Sequence, residues 1–405
     1  MYRAHEAKRG IGAVAALVVA LIVASAAGVA TGCRPFYIAK VGVQHLRYVS
    51  RARPISEEIE RTSDATRRRR LELVLAARDW AAGNGLEPGG SYLEISDTDG
   101  LATGYVVTAA YRDRLEPYEW KYPVVGKIPY RGYFELESAQ GFAEGLAADG
   151  YDTYVFAAAG FSTLGWMNDP LPSSLLAFDD VEIVDVVLHE IVHQTVYVKN
   201  EIEFNETLAS AVAKKLTHEF FDSRDEASLA AEAARRRKLW LEQSALFDEF
   251  AARLRGYFEA SRETTRDARL AGRAPIYAEL AEQLRALELQ VATLGAAGEA
   301  AVEAAAAGAV AAAAPDLNNA VFLALYRYRK RAGVIDDYLE TFDSMSVAMA
   351  DLRERSEAAD GDPYAALAQQ SRAGKCCSRT TAVSFLASEP RPAAGRTLLG
   401  DEDRS

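Results

Sequence analysis

Val187-Leu188-His189-Glu190-Ile191-Val192-His193 places two histidines four residues apart in an apolar run. On a helix that spacing puts both imidazoles on one face, one turn apart, so both can reach one tetrahedral Zn²⁺. Glu190, one residue on, turns toward the side where water would approach the ion, which suits a general base. The apolar neighbours Ile191, Val192 and Val196 fit a helix buried in a core. A catalytic zinc needs a third protein ligand and an open position. Twelve residues separate His193 from Glu206, enough for a turn and a reversal of direction. Glu206, in the first turn of a second helix, is therefore the expected third ligand. Glu201 and Glu203 compete from the connecting loop, where a rigid ligand is harder to hold. His218 lies about three turns beyond Glu206, too far to share the ion.

The pattern around this pair of helices is mixed. The motif helix is expected over Val181 to Val198 and the second over Asn205 to Phe221. Upstream, Ser56 reads as the N-cap of a helix running to Ala82, stopped by Gly83, Asn84 and Gly85. Ser91 to Phe134 carries short β-prone runs such as Gly104-Tyr105-Val106-Val107-Thr108. Ser138 to Ala148 is helical, and Thr153 to Phe156 reads as one more strand. Downstream, 225 to 295 has the composition of long helices or a hairpin, and Asn318 to Arg355 is helical again. The segment 293 to 314 is mostly Ala, Gly and Glu, and composition leaves helix and flexible insertion both open. The last stretch, 359–405, lacks periodicity and is expected to be disordered.

The ends and the charge balance narrow the class. Arg3, Lys8 and Arg9 precede an uncharged stretch from Ile11 to Gly32 that ends at Cys33. A positive segment followed by an apolar one is an export or anchoring signal. Three readings stay open: a lipoprotein lipidated on Cys33, an uncleaved membrane anchor, and a cleaved signal. All three place the rest of the chain in the bacterial cell envelope, on the periplasmic or outer side of a membrane. With 46 basic and 58 acidic residues, the net charge of -12 gives no general reason to bind nucleic acid. The Arg67 to Arg70 run is expected on a solvated helix face. Three cysteines exclude a disulfide framework. Apolar residues at 49% allow a sizeable core.

Several strings together resemble the bacterial putative aminopeptidases. They are His189 to Gln194, Val198-Lys199, Phe204-Asn205-Glu206, Pro129-Tyr130-Arg131-Gly132-Tyr133-Phe134, Gly150 to Val155, Ser162 to Trp166 with Asp169-Pro170, Arg53-Pro54-Ile55, Asn318-Asn319-Ala320 and Tyr326. The resemblance implies a membrane-associated gluzincin-type metallopeptidase with one Zn²⁺ held by His189, His193 and Glu206. Many gluzincins carry an Asp four residues after the glutamate ligand, and here that position is Ser210, so the support of the zinc histidines must differ. By analogy with zincins, a tyrosine of a later helix, Tyr326 or Tyr328, would donate to the oxyanion; Tyr326 is the named candidate. Asp169, Glu135 and Glu137 are candidates for the α-ammonium of a peptide, each also readable as an ordinary surface acid. Arg131 would pair with a substrate carboxylate or with one of these acids. An edge strand near the motif helix, at 153–156 or the loop 160–166, would hold the extended substrate.

The expected fold is α+β and predominantly helical: a zincin-like domain with a small twisted sheet over the motif helix, and a helical C-terminal part. The expected organisation is a signal or anchor segment at 1–33, a catalytic region at 34–222, a helical region at 223–358 completing the cleft, and the tail. The expected function is zinc-dependent peptide hydrolysis with Glu190 as general base, on peptide substrates. The alternative is a catalytically idle envelope lipoprotein that keeps the fold as a scaffold.

Overall fold

The computed structural model describes residues 43, 47–98, 104–122, 126–158, 168–295, 317–358 and 362–368. The chain opens with β1 (Arg53–Pro54), α1 (Ile55–Arg61) and α2 (Ala65–Gly83). The single helix expected from Ser56 to Ala82 is thus two. Asp64 breaks it, because its carboxylate accepts from Thr66 N at 2.9 Å and Arg67 N at 3.1 Å and so starts a new helix. Glu58 spans the break, accepting from Arg53 Nε at 2.7 Å and Arg67 Nε at 2.9 Å. The arginine run is not merely solvated. Arg69 pairs with Asp180 and Glu226, and Arg70 donates to Leu176 O at 2.6 Å, so α2 is pinned to the start of the motif helix.

Short strands follow: β2 (Glu94–Ser96), β3 (Gly104–Tyr111), β4 (Trp120–Tyr122), β5 (Gly126–Ile128) and β6 (Arg131–Tyr133). Then come α3 (Leu136–Ala148), β7 (Tyr151–Ala158) and β8 (Leu171–Pro172). One sheet has the order β1-β2-β8 and a second the order β6-β3-β7, fully antiparallel, with Gly104 opposite Ala158 and Tyr111 opposite Tyr151. β4 and β5 form a separate pair. Along β3 the side chains alternate. Val107 and Ala109 pack on Ala139 and Ala143 of α3, while Ala110 joins the opposite cluster with Phe322. This longer sheet is therefore sandwiched away from the motif helix. It is the small β1-β2-β8 sheet, through Ile95 and Leu171, that shares a core with that helix.

The motif helix is α4 (Asp180–Thr195), capped by Asp179, whose carboxylate accepts from Glu182 N at 3.0 Å. α5 (Ile202–Asp222) packs beside it, followed by the long pair α6 (Ala227–Ala260) and α7 (Arg266–Gly295), which pack on each other as the expected hairpin. After α8 (Asn319–Tyr326) come α9 (Ala332–Leu339) and α10 (Met345–Ala358). The fold is thus α+β and mostly helical, with small sheets.

The principal core gathers Val184, Leu188 and Ile191 of α4, Leu208 and Val212 of α5, Trp240 of α6 and Ile335 of α9. Residues from both sides of position 222 share it. Residues 363–368, expected in a disordered tail, are helical. Asp362 caps them through Tyr364 N at 3.0 Å, and Tyr364 and Leu367 are buried in that same core. Cys33, the apolar N-terminal stretch, the Ala-rich 296–316 and the rest of the tail lie outside the described residues. Among the described residues, no helix is long and apolar enough to cross a membrane.

Candidate metal centre

Helix α4 is apolar on nearly every side, so its two histidines are fixed by a buried backbone. His193 keeps 5% of its side chain exposed, His189 16% and Glu206 15%. Helix α5 begins at Ile202, three residues earlier than its sequence suggests, so Glu206 stands in the second turn and not the first. Asn205 fixes the approach: its amide clasps Val198, accepting from N at 2.9 Å and donating to O at 2.8 Å. That closes the connection between the helices and sets where the next residue, Glu206, points.

Three donor atoms converge. His189 Nε2 and His193 Nε2 are 3.1 Å apart, and Glu206 Oε2 lies 3.3 Å from the first and 3.4 Å from the second. Around a tetrahedral ion with bonds of about 2.0–2.1 Å, neighbouring donors sit about 3.3–3.4 Å from each other. The triangle has the edge lengths such an ion requires, and this group could hold a metal ion. Two buried atoms nearby have no hydrogen-bond partner, His193 Nδ1 and Glu190 Oε2. The donor set therefore fits a divalent cation with Glu190 left over for other work. Ser210 takes up the supporting position noted in the sequence: its Oγ lies 3.4 Å from His189 Nδ1.

The charges at the centre are strongly coupled. Burial pushes the Glu206 carboxyl up, but the two imidazoles outweigh it and hold it well below the usual carboxylate range. Burial pulls His193 down, and Glu206 more than reverses that, so the net shift is upward. Both shifts describe a cluster that wants positive charge beside Glu206.

Tyr326 does not reach this centre. Its hydroxyl donates to Asp248 at 2.7 Å and its ring packs with Phe247 and Phe322 in a separate core. Two residues on, the chain has left α8, and Tyr328 turns the other way, its ring 6.1 Å from that of His189. The Glu206 charge, then burial, raises the Tyr328 hydroxyl far above its ordinary value, so it stays protonated and able to donate. Tyr130, quoted above only as part of the Pro129–Phe134 string, is also at the centre. Burial, then Glu206, pushes it up to about 12.

The other candidates are placed as follows. His218 is remote, its Nδ1 3.1 Å from Ala230 O. Glu203 sits in the first turn of α5, paired with Lys330. Glu201 is the residue before α5. Glu135 accepts from Ser138 Oγ at 2.8 Å, and Arg131 lies over the Phe142 ring. Asp169 is buried and its N donates to Ser91 Oγ at 3.1 Å; burial, then the charges of Glu190 and Asp169, raises the Tyr92 hydroxyl. β7 is an edge strand among the described residues, packed on α3 and α8, but its sheet stands away from the motif helix, beside which the substrate strand is expected. Ser162 to Trp166 lie outside the described residues.

The fold and the centre define a class: a mostly helical α+β protein in which a histidine pair on one helix and a carboxylate on the next could hold a metal. Residues 36–358 match the model of the family described as Putative aminopeptidase, and the chain belongs to that family. No curated protein and no solved structure matches it.

Proposed function

We propose that the chain is a zinc-dependent peptidase of zincin-like, gluzincin type, acting on peptides as an aminopeptidase. The observation that carries this is the near-equilateral triangle of two imidazole nitrogens and one carboxylate oxygen, with an unpartnered carboxylate oxygen beside it. Nitrogen and oxygen donors in a three-plus-open tetrahedron favour zinc over magnesium or calcium, which take six or more oxygens. A zinc ion bound there would acidify water and polarise the scissile carbonyl. Glu190 accepts the proton from the attacking water at Oε2 and passes it to the leaving amine. Tyr328, held protonated, donates to the developing oxyanion. Asp169 offers a buried carboxylate for the substrate's α-ammonium. The charged N-terminus followed by the apolar stretch to Cys33 supports action in the cell envelope, anchored by lipid or helix.

The test pairs elemental analysis with a panel of aminoacyl and internally quenched peptides, on wild type and Glu190→Gln. The expected result is one zinc per chain in both proteins and turnover in wild type alone, lowered at least about a thousandfold by the substitution. A protein that binds no zinc, or a Glu190→Gln variant as active as wild type, would rule the reading out.

A further inference from the structure

Arg327 is 4% exposed, and only one other arginine, Arg78, is comparably buried among the described residues. Arg78 is satisfied: its guanidinium donates to the carbonyls of Pro88, Gly89 and Ser91. Arg327 is not. Among the described residues its guanidinium forms no hydrogen bond and no ion pair, and its one side-chain partner is the Tyr130 ring, 5.1 Å away. Its backbone, by contrast, is firmly held. Its N donates to Leu323 O at 3.1 Å, and its O accepts from Thr207 Oγ1 at 3.1 Å.

Those backbone contacts hold the residue beside the metal centre, and its guanidinium lies over Tyr130. Thr207 follows the ligand Glu206 in sequence. Tyr328 follows Arg327 and faces His189. Tyr130, under the guanidinium, and Tyr328 both lie within reach of the Glu206 and Glu190 charges. A divalent ion at the centre would be balanced by Glu206 and Glu190, leaving the Arg327 charge in excess. A mostly buried charge without an anionic partner is costly, and a ring face offsets only part of that cost. Such a cation is stabilised when an anion enters with the substrate. A guanidinium presents a planar fork of donors, and the planar two-oxygen partner that matches it is a carboxylate.

We propose that Arg327 anchors a carboxylate of the peptide substrate close to the scissile bond, so that the centre selects short peptides with a free C-terminal carboxylate or peptides with an acidic residue there. This deepens the peptidase reading and rests on it.

The experiment uses the full-length, zinc-loaded chain. It compares kcat/KM for di- and tripeptides as free acids and as C-terminal amides, and for amidated peptides carrying Asp or Asn after the cleaved bond. Wild type is expected to prefer the carboxylate-bearing member of a pair by about a hundredfold. Arg327→Met, which keeps the volume but not the charge, is expected to bring the pair within about threefold, through KM. Arg327→Lys, with a charge but no fork, is expected to recover part of the preference. Zinc content and thermal midpoint verify that each variant is folded; if the Met variant is not, the Lys variant must still lower the preference. Preference between acid and amide assigns the terminal carboxylate, and preference between Asp and Asn alone assigns the side chain. A preference that survives both substitutions, or equal losses on charged and neutral members, overturns the anchor. A wild type that cuts peptides with neither preference overturns the anchor alone, whereas one that cuts no peptide overturns the peptidase reading and the anchor with it.

Discussion

Tyr326 and Tyr328 are two residues apart, yet one enters a core and the other faces the metal centre. Tyr326 ends α8, and a residue there continues the helical face that carries Phe322. Tyr328 lies past the helix end, where the chain is free to turn toward α4. Separate consequences follow. Tyr328→Phe is expected to lower kcat about a hundredfold with little change in thermal midpoint, since in the proposed mechanism the hydroxyl acts on the transition state alone. Tyr326→Phe is expected to leave kcat within a few-fold and to cost about 1 kcal/mol of stability, because Asp248 loses the hydroxyl and keeps only the Arg331 N–H. Steady-state kinetics and thermal melts on the two variants check both. The histidines, Glu190 and Glu206 were legible one by one, because spacing on a helix is a local property. Arg327 was not, because burial without a partner is defined by every neighbouring element.

At the scale of elements, the site depends on how α4 hands over to α5. Asn205→Ala removes the amide that clasps Val198 and leaves the buried Val198 N without its partner, while Val198 O keeps its bond from Glu201 N at 3.2 Å. The expected cost is about 1–3 kcal/mol, together with at least about tenfold weaker zinc binding as Glu206 loses its fixed position. Denaturant melts of the metal-free chain separate the first effect, and a zinc titration the second. A second joint, β1-α1-α2, turns on Glu58. Its hydrogen bond to Arg53, opposed by burial and reinforced by Arg67, lowers its carboxyl below the ordinary value. A lowered folded value means stability that is present above the unfolded value, about 4.3, and is lost as pH falls through the folded one. Glu58→Gln is therefore expected to cost about 1–2 kcal/mol at pH 7, and the gap to wild type should close below about pH 4. Thermal melts from pH 3 to 8 follow it. The helix break at Asp64 was missed because Thr62-Ser63-Asp64 is short and the flanking helical patterns run on either side of it. The helix pair α6 and α7 was legible because long breaker-free periodicity has few alternatives.

For the molecule as a whole, the active elements are closed by segments far away in sequence. Asn318 and Asn319 do so without chemistry. Asn318 caps α8, and Asn319, fully buried, donates to Tyr111 O at 2.7 Å and accepts from Tyr277 at 2.5 Å, joining β3, α7 and α8. The 362–368 helix packs Tyr364 edge-on to Phe204, with Arg331 over its ring and paired to Asp362 at 2.8 Å. Tyr364→Ala is expected to cost about 3–4 kcal/mol and to loosen the start of α5, raising the zinc dissociation constant. A variant as stable as wild type in urea would show that the segment does not hold the core. That helix was overlooked because Asp362-Pro363 starts it well but only Tyr364 and Leu367 mark its buried face, too few positions to show a period.

The sequence alone put His189 and His193 on one face of a helix with Glu190 beside them, offered Glu206 on the helix that follows, and carried the mostly helical class, since each is read within a short segment. Tertiary structure decided which tyrosine faces the metal centre, and that Arg327 stands there with no ion-pair partner among the described residues. Those facts depend on distances between segments over a hundred residues apart, or on where a helix ends, and side-chain spacing along one element carries no information about either.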